Sequence, residues 1–362
     1  MRRRKKRKKR RILFLLVLLL IISSGIYAYF HFKPVVANKY EVSQTISVKE
    51  SVYSYALMGN KIVIFENNVL KIYDNEEKIE SRKIDINMKA VDIRTIGQNL
   101  FLADTQSGKI IIWNDQLEII DEINLNEEIL LIKEDKMDQY LGIHTKKVDG
   151  TERILLISKD GEITGEINGL KGGNVIDFTF DSEKEIVAIS AISYNQEYKT
   201  NLMITDIQGK ITGGKIFKNE IIPKIFLNNH GHIICVGTNR IIKLNEDKEI
   251  GWENTIVVDK VGYSELNDAL VICEEGLTKT KVTLLDSQNN VLYEVSIDGN
   301  VKNIKGNSKR TILYGKRTIC DIGKTSLSET KIYKDIEWVD VRSDGNIIMC
   351  NNKTIEVLKQ KQ

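Results

Sequence analysis

Features that mark helical proteins and many enzymes are scarce in this sequence. From Tyr40 onward no amphipathic helical stretch of ten or more residues stands out, and runs of four to eight residues enriched in β-branched side chains dominate. The sequence has no nucleophile elbow, no glycine-rich phosphate-binding loop and no histidine placed with a carboxylate at catalytic spacing. These absences exclude a helical bundle and leave no local motif for catalysis.

A net positive charge is lacking outside the N-terminus. The 362 residues carry 53 Lys and Arg against 50 Asp and Glu, but ten of the cations occupy residues 2–11 without a break. The remainder therefore carries 43 cations and a formal charge of −7. A mildly acidic folded part argues against a nucleic-acid partner, which would require a cationic surface.

One apolar segment follows the basic run. Residues 12–30 contain no charge and as a helix would rise ~28 Å, about the thickness of a bilayer core. We expect a basic cytoplasmic segment at 1–11, a transmembrane signal anchor at 12–32, a linker at 33–39 and an extracellular domain at 40–362. The alternative is a cleaved signal peptide, because small residues lie near Gly25 and Ala37.

The positive-inside rule assigns the basic run a topogenic role and places the N-terminus in the cytoplasm, although a nucleic-acid arm is the other use of such a run. The predicted topogenic residues are Arg2, Arg3, Arg4, Lys5, Lys6, Arg7, Lys8, Lys9, Arg10 and Arg11. The protein is thus expected in the cytoplasmic membrane, crossing it once.

The domain repeats a unit of four short runs rich in Ile, Leu and Val. Residues 90–125 hold the clearest copy, AVDIR, NLFLAD, KIIIWN and LEIIDEINL, separated by polar turns. Units begin 36 to 47 residues apart, near Tyr53, Ala90, Ile129, Val175, Ile222, Asp259, Val301 and Glu337. In an all-β sequence this period predicts a β-propeller, whose four-stranded blades bury their faces against one another.

The two ends of the domain are predicted to share a blade. Only three strands follow Glu337, while residues 41–48 alternate apolar and polar side chains and have no blade of their own. This segment can supply the missing outer strand and so remove the open sheet edges. The count is then eight blades, with seven as the alternative because the unit at 301–336 is the weakest.

The best repeat carries a recognisable pattern. Its Ala103-Asp104-Thr105, Ser107-Gly108-Lys109 and Trp113 are similar to the Ala-x-Asp turn, Ser-Gly step and tryptophan of quinoprotein-like propellers, and the unit also resembles WD repeats. The resemblance implies a superfamily and no activity. The whole chain resembles single-pass, membrane-anchored propeller proteins of clostridia and related Gram-positive bacteria. No quinone cofactor is expected, because a vicinal cysteine pair and a cluster of carboxylates are lacking.

Three aspartates share one place in the repeat. Asp92, Asp177 and Asp340 fall at the same position of the first strand, with Asn303 in a fourth blade. Because first strands line the channel of a propeller, these oxygens could form a ring that holds calcium. The alternative is that the positions are polar because the channel is wet, since calcium requires six to eight oxygens.

The histidine pair, Trp113 and the cysteines are predicted to have structural roles. His230-Gly231-His232 is predicted to be a surface turn, because zinc requires a third ligand. We expect Trp113 to pack between blades. The four cysteines lie in or beside apolar strands, which favours buried free thiols over disulfides: Cys235, Cys273, Cys320 and Cys350.

Two functions are compatible with these features. The first is a non-catalytic platform at the outer face of the membrane that binds a protein, ligand or envelope polymer. The second is an enzyme acting on envelope carbohydrate, or another metal-dependent enzyme, with its site in the channel at Asp92, Asp177 and Asp340. The sequence favours the platform, because no acid-base pair or metal-ligand set is visible.

Overall fold

The computed structural model describes residues 39–48, 54–66, 68–74, 77–83, 90–168, 173–352 and 354–361. Within these ranges no helix is long and apolar enough to cross a membrane. The predicted basic segment, transmembrane helix and all but the last residue of the linker lie outside the described residues.

The described chain forms 32 strands in eight four-stranded antiparallel sheets. Strand β1 is Tyr40–Ser47. Blade 1 contains β2 (Ser54–Met58), β3 (Lys61–Glu66), β4 (Val69–Asp74) and β5 (Glu77–Lys83). Blade 2 contains β6 (Val91–Ile96), β7 (Asn99–Asp104), β8 (Lys109–Trp113) and β9 (Ile119–Asn124). Blade 3 contains β10 (Glu128–Glu134), β11 (Tyr140–Lys146), β12 (Glu152–Ser158) and β13 (Ile163–Ile167). Blade 4 contains β14 (Asn174–Asp181), β15 (Ile186–Asn195), β16 (Glu197–Thr205) and β17 (Ile211–Lys218).

The second half of the chain continues the same meander. Blade 5 contains β18 (Lys224–Leu227), β19 (Ile233–Val236), β20 (Arg240–Leu244) and β21 (Ile250–Thr255). Blade 6 contains β22 (Lys260–Ser264), β23 (Ala269–Glu275), β24 (Lys279–Asp286) and β25 (Val291–Asp298). Blade 7 contains β26 (Val301–Gly306), β27 (Thr311–Gly315), β28 (Thr318–Ile322) and β29 (Leu327–Lys331). Blade 8 contains β30 (Trp338–Val341), β31 (Ile347–Asn351) and β32 (Thr354–Gln360), completed by β1.

The prediction of eight blades with a shared closing blade is confirmed. Strand β1 pairs antiparallel with β32, from Tyr40 opposite Gln360 to Ser47 opposite Thr354. The seven-blade alternative is wrong, because the weak unit at 301–336 forms a complete sheet, β26 to β29.

The hydrophobic core is divided into eight clusters, one at each interface between neighbouring blades. The cluster that closes the ring packs Ile46 of β1 and Ile348 of β31 against Ile62 and Ile64 of blade 1. Each blade thus buries both faces of its sheet against neighbours, which is why the short apolar runs cannot stand alone.

Trp113 and the cysteines behave as predicted. Trp113 is buried between blades 1 and 2. All four cysteines are free and buried, and burial raises the pKa of each thiol to about 12.

Antiparallel meanders place alternate turns on opposite faces of the ring. We call the lower face the one that carries the turns from first to second and from third to fourth strands. The upper face carries the turns from second to third strands and the connections between blades. Because Tyr40 pairs with the end of β32, β1 begins on the lower face.

Candidate functional site

The first strands of blades 7, 8, 1 and 2, with the end of β10 and the turn after it in blade 3, line a cavity of about 840 Å³ at the channel. Its volume falls within the usual range for small-molecule pockets. The charged residues that line it are Asp92, Arg94, Glu134, Asp138, Lys305 and Asp340. Four carboxyl groups and two cations therefore face a common space.

Asp92 is held by the arginine two residues along the same strand. Arg94 Nε and Nη2 each lie 3.1 Å from an oxygen of the Asp92 carboxylate. Arg94 Nη1 is 3.9 Å from Glu134 Oε1, at the end of β10. Burial alone would lower the pKa of Arg94, but Glu134 and Asp92 outweigh it and the pKa is raised.

Glu134 is 44% exposed, but that surface faces the cavity. The surrounding protein removes water from the carboxylate and raises its pKa, with Asp340 adding repulsion and Arg94 opposing both. Glu134 therefore takes up a proton at a higher pH than a glutamate in water does.

Asp340 faces the same cavity from blade 8. The Tyr55 hydroxyl donates to Asp340 Oδ2 at 3.0 Å, and Lys305 Nζ lies 3.7 Å from the same oxygen. The Tyr55 ring stacks on Trp338, with centroids 3.7 Å apart and planes within 6°. Burial first, and then Asp340, raises the pKa of Tyr55, so this hydroxyl stays a donor.

Asp177 lies apart from the other two aspartates. It is 1% exposed and does not line the cavity. Its carboxylate is 2.6 Å from Lys133 Nζ, and it accepts the backbone N–H of Ile225 at 3.0 Å. Burial lowers the pKa of Lys133 against the pull of Asp177. Asp177 thus ties blade 4 to blades 3 and 5.

The structure therefore brings together two of the three predicted metal ligands, Asp92 and Asp340. Asn303 turns to its own strand, where its Oδ1 accepts the N–H of Ile304 at 2.9 Å. Among the described residues no group of three His, Cys, Asp or Glu is placed to hold a metal ion. Calcium in the channel stays a prediction.

Sequence reasoning missed the partners of these acids. Arg94 carried a signal, because it follows Asp92 by two residues on an alternating strand and so points to the same side. Tyr55, Glu134 and Lys305 come from three other blades, and no spacing along the chain could indicate their proximity.

The turn between β10 and β11 reaches over the lower mouth of the channel. Lys136 Nζ donates to the carbonyl of Leu227 in blade 5 at 2.9 Å and lies 5.1 Å from the Tyr263 ring centroid in blade 6. Asp135 accepts hydrogen bonds from the backbone and hydroxyl of Ser182 in blade 4. These contacts fix the turn and, with it, Glu134.

His230 and His232 lie in the lower-face turn of blade 5, as predicted. Asn228 Oδ1 accepts the backbone N–H groups of both residues, at 3.0 and 2.8 Å. The two rings are 6.2 Å apart, and the His230 side chain is 66% exposed. The turn is thus shaped by Asn228.

Apolar side chains project from the upper face. The hairpin of β15 and β16 is the longest of the ring, and at its tip Tyr194 pairs with Tyr198 across the strands. Tyr194 is 78% exposed and Tyr198 42%. Val148 and Leu277, in the corresponding turns of blades 3 and 6, are fully exposed. Val148 and Leu277 are single residues on separate blades, whereas Tyr194 and Tyr198 form an exposed aromatic pair at one hairpin tip.

Comparison with known proteins assigns a family. The family model described as "Family of unknown function (DUF5711)" matches residues 34–360, so the chain belongs to that family. No curated protein is similar enough in sequence to count as a relative.

Several solved structures share the fold. BamB from Moraxella catarrhalis is 10% identical with a TM-score of 0.57, covering 88% of this chain and 99% of its own. The Dos1 propeller is 11% identical with a TM-score of 0.58, covering 88% and 95%. A chain of the mitotic checkpoint complex is 10% identical with a TM-score of 0.53, covering 75% and 86%. These similarities confirm the β-propeller fold and show the fold alone.

Proposed function

We propose that this DUF5711 member is a non-catalytic binding platform that is anchored in the cytoplasmic membrane and presents its propeller outside it. Its partner is a protein or an envelope polymer, and binding occurs at the upper face. The observation that carries the proposal is the exposed pair Tyr194 and Tyr198 at the tip of the longest hairpin.

The tips have the composition of a binding surface. Tyrosine is enriched among residues that dominate binding energy, because it offers a large rigid ring together with a hydrogen-bonding group. Burying an exposed aromatic ring against a partner would recover apolar area that now faces water. A protein partner is further supported by the similar chain of the mitotic checkpoint complex, because that propeller is part of a complex.

The location rests on the sequence. Residues 12–30 are long and apolar enough to span a bilayer, and the basic run before them favours retention in the cytoplasm. Protease added to intact cells should then digest the propeller while leaving the N-terminal segment protected. Full protection of the propeller would contradict the proposed topology.

Crosslinking in membranes tests the platform. A partner captured reproducibly by the full-length protein should be lost from Tyr194→Ser/Tyr198→Ser, because the hairpin loses its aromatic anchors. The matched control is Ile119→Ser/Ile120→Ser, which changes two exposed residues on the outer strand β9. Asp92→Ala/Asp340→Ala should retain the partner. Loss of capture only in the channel variant would refute binding at the upper face.

A further inference from the structure

A second cavity, of about 290 Å³, lies on the lower face where the two ends of the propeller meet. It is lined by Ser43 and Gln44 of β1, Asn60 of blade 1, Lys359 of β32, and Arg342, Asp344 and Asn346 of the turn after β30. It is separate from the channel cavity, and no residue lines both.

Two residues that line this cavity carry buried side-chain donors without a partner among the described residues. Gln44 and Arg342 are each 5% exposed. Neither Gln44 Nε2 nor Arg342 Nε has a hydrogen-bond partner in the described part of the chain. A buried N–H without a partner has lost its hydrogen bond to water and gained none in return, which destabilises the fold. Both residues line one small cavity, so an acceptor bound there could pair with donors that the described chain leaves unpaired.

A local irregularity of the backbone precedes Gln44, a lining residue of the cavity. The pairing of β1 with β32 shifts between Val42 and Gln44, which leaves Ser43 as the extra residue of a β-bulge. The Ser43 hydroxyl donates to the carbonyl of Val357 at 3.2 Å and stabilises the bulge. Bulges commonly redirect a side chain near a site.

Arg342 reaches the cavity from the neighbouring turn. Its Nη2 lies 3.0 Å from Asp344 Oδ2, which leaves Nε free. Asp344 is the one carboxylate in the lining, and it also accepts the backbone and side-chain N–H groups of Asn346, at 2.9 and 2.8 Å. With Lys359 the lining carries two cations and one anion, a net charge of +1.

We propose that this cavity binds a phosphate group. Arg342 Nε, the Gln44 amide and the Lys359 ammonium are the donors, and Ser43 and Asn60 complete a polar wall. Guanidinium and ammonium groups together are the usual ligands of phosphate oxygens. The bound group would join β1, β32 and blade 1 at the closure of the ring, so binding should stabilise the whole propeller.

The phosphate can come from solution or from a lipid headgroup. The cavity lies on the face where β1 begins, and the linker at 33–39 that precedes β1 spans at most about 25 Å when extended. If the predicted anchor is in the membrane, this face is held near lipid headgroups. The experiment therefore separates the two sources.

Thermal unfolding of the full-length protein in detergent tests the proposal. Sodium phosphate, compared with sodium chloride at equal ionic strength, should raise the Tm by a few degrees and then saturate. Lys359→Gln and Gln44→Leu should abolish the rise, because each removes a donor. Lys361→Gln, which changes a lysine outside the cavity on the same face, should keep it.

Three outcomes would overturn the proposal: no rise in the unmodified protein, a rise of equal size in all variants, or an equal saturating rise with acetate. The second would reflect the general stabilisation that phosphate gives by exclusion from protein surfaces. Gln44→Leu removes an unpaired amide and should melt no lower than the parent without phosphate, so its fold can be verified in the same assay.

Nanodiscs distinguish the sources of the group. In phosphatidylglycerol nanodiscs without free phosphate, a Tm already raised in a Lys359-dependent manner indicates a lipid headgroup. A rise that still requires free phosphate indicates the soluble ion. Either result supports the phosphate site, whereas a Tm that depends on neither source refutes it.

Discussion

Alanine substitutions of two aspartates at equivalent positions of the repeat should change the free energy of unfolding by very different amounts. Asp177→Ala removes a 1% exposed carboxylate that pairs with Lys133 at 2.6 Å and accepts the Ile225 N–H. Asp92→Ala removes a carboxylate that is 32% exposed and is paired with Arg94, itself 34% exposed.

The magnitudes follow from burial. Removing one partner of a buried pair costs about 3–5 kcal/mol, because the remaining charge is left without compensation. Lys133 keeps 23% of its side chain exposed, so we expect the lower end of that range, about 3 kcal/mol, for Asp177→Ala. For Asp92→Ala solvent screening limits the loss to about 0.2–1 kcal/mol.

Equilibrium unfolding in urea measures the difference. Both variants should unfold with the same dependence on denaturant as the parent, and the midpoint should fall mainly for Asp177→Ala. Asp177→Asn, which keeps an acceptor for the Ile225 N–H, should be intermediate. Equal losses for the two alanine variants, or a larger loss for Asp92→Ala, would refute the assignment of Asp177 to the scaffold and Asp92 to the cavity.

Further predictions concern the turns, the thiols, a buried histidine and the channel. Gly209→Ala should lower the free energy of unfolding by about 1–3 kcal/mol more than Gly150→Ala does. The two glycines have similar φ angles, +87° and +85°, but only at Gly209 would a Cβ meet a backbone oxygen, Glu166 O at 2.6 Å. The four cysteines should resist alkylation at pH 8 in the native protein and react on denaturation, since their thiols are buried; rapid native labelling would contradict this. Burial lowers the pKa of His144, whose Nε2 lies 3.0 Å from Glu152. The unfolded state therefore binds a proton on this histidine more tightly than the folded state does. The free energy of unfolding should then fall as the pH drops below about 6.5, and it should fall less in His144→Gln. If calcium binds in the channel, it should raise the Tm of the parent and not of Asp92→Ala/Asp340→Ala, and an absence of any shift would refute it.

Most of the fold was predictable from the sequence, because a propeller blade is a local structure. Each strand of a meander pairs with the next, so short apolar runs and polar turns determine the blades without long-range information. Even the closure could be inferred, since residues 41–48 alternate and the last unit lacks one strand. The residues around Asp92 and Asp340 could not, because Tyr55, Glu134 and Lys305 approach them only through the curvature of the ring.

The matching motifs of blades 2 and 8 have different surroundings because the turns that follow them differ in length. Val91-Asp92-Ile93-Arg94 and Val339-Asp340-Val341-Arg342 match, as do the Asn-Leu and Asn-Ile pairs that follow them. Between motif and pair lie four residues in blade 2 but three in blade 8. In blade 2 the first strand continues to Ile96, so Arg94 stays on the strand beside Asp92.

In blade 8 the first strand ends at Val341, and Arg342 begins the turn, where its N–H bonds to Asn346 O and its carbonyl accepts from Gly345. The shorter connection therefore withdraws this arginine from the channel. Asp340 therefore contacts Tyr55 and Lys305 in place of an arginine. The Arg342 side chain lies instead on the lower face, in the cavity lining between blades 8 and 1. A single residue in one turn thus separates the arginine of the channel cavity from that of the proposed phosphate site.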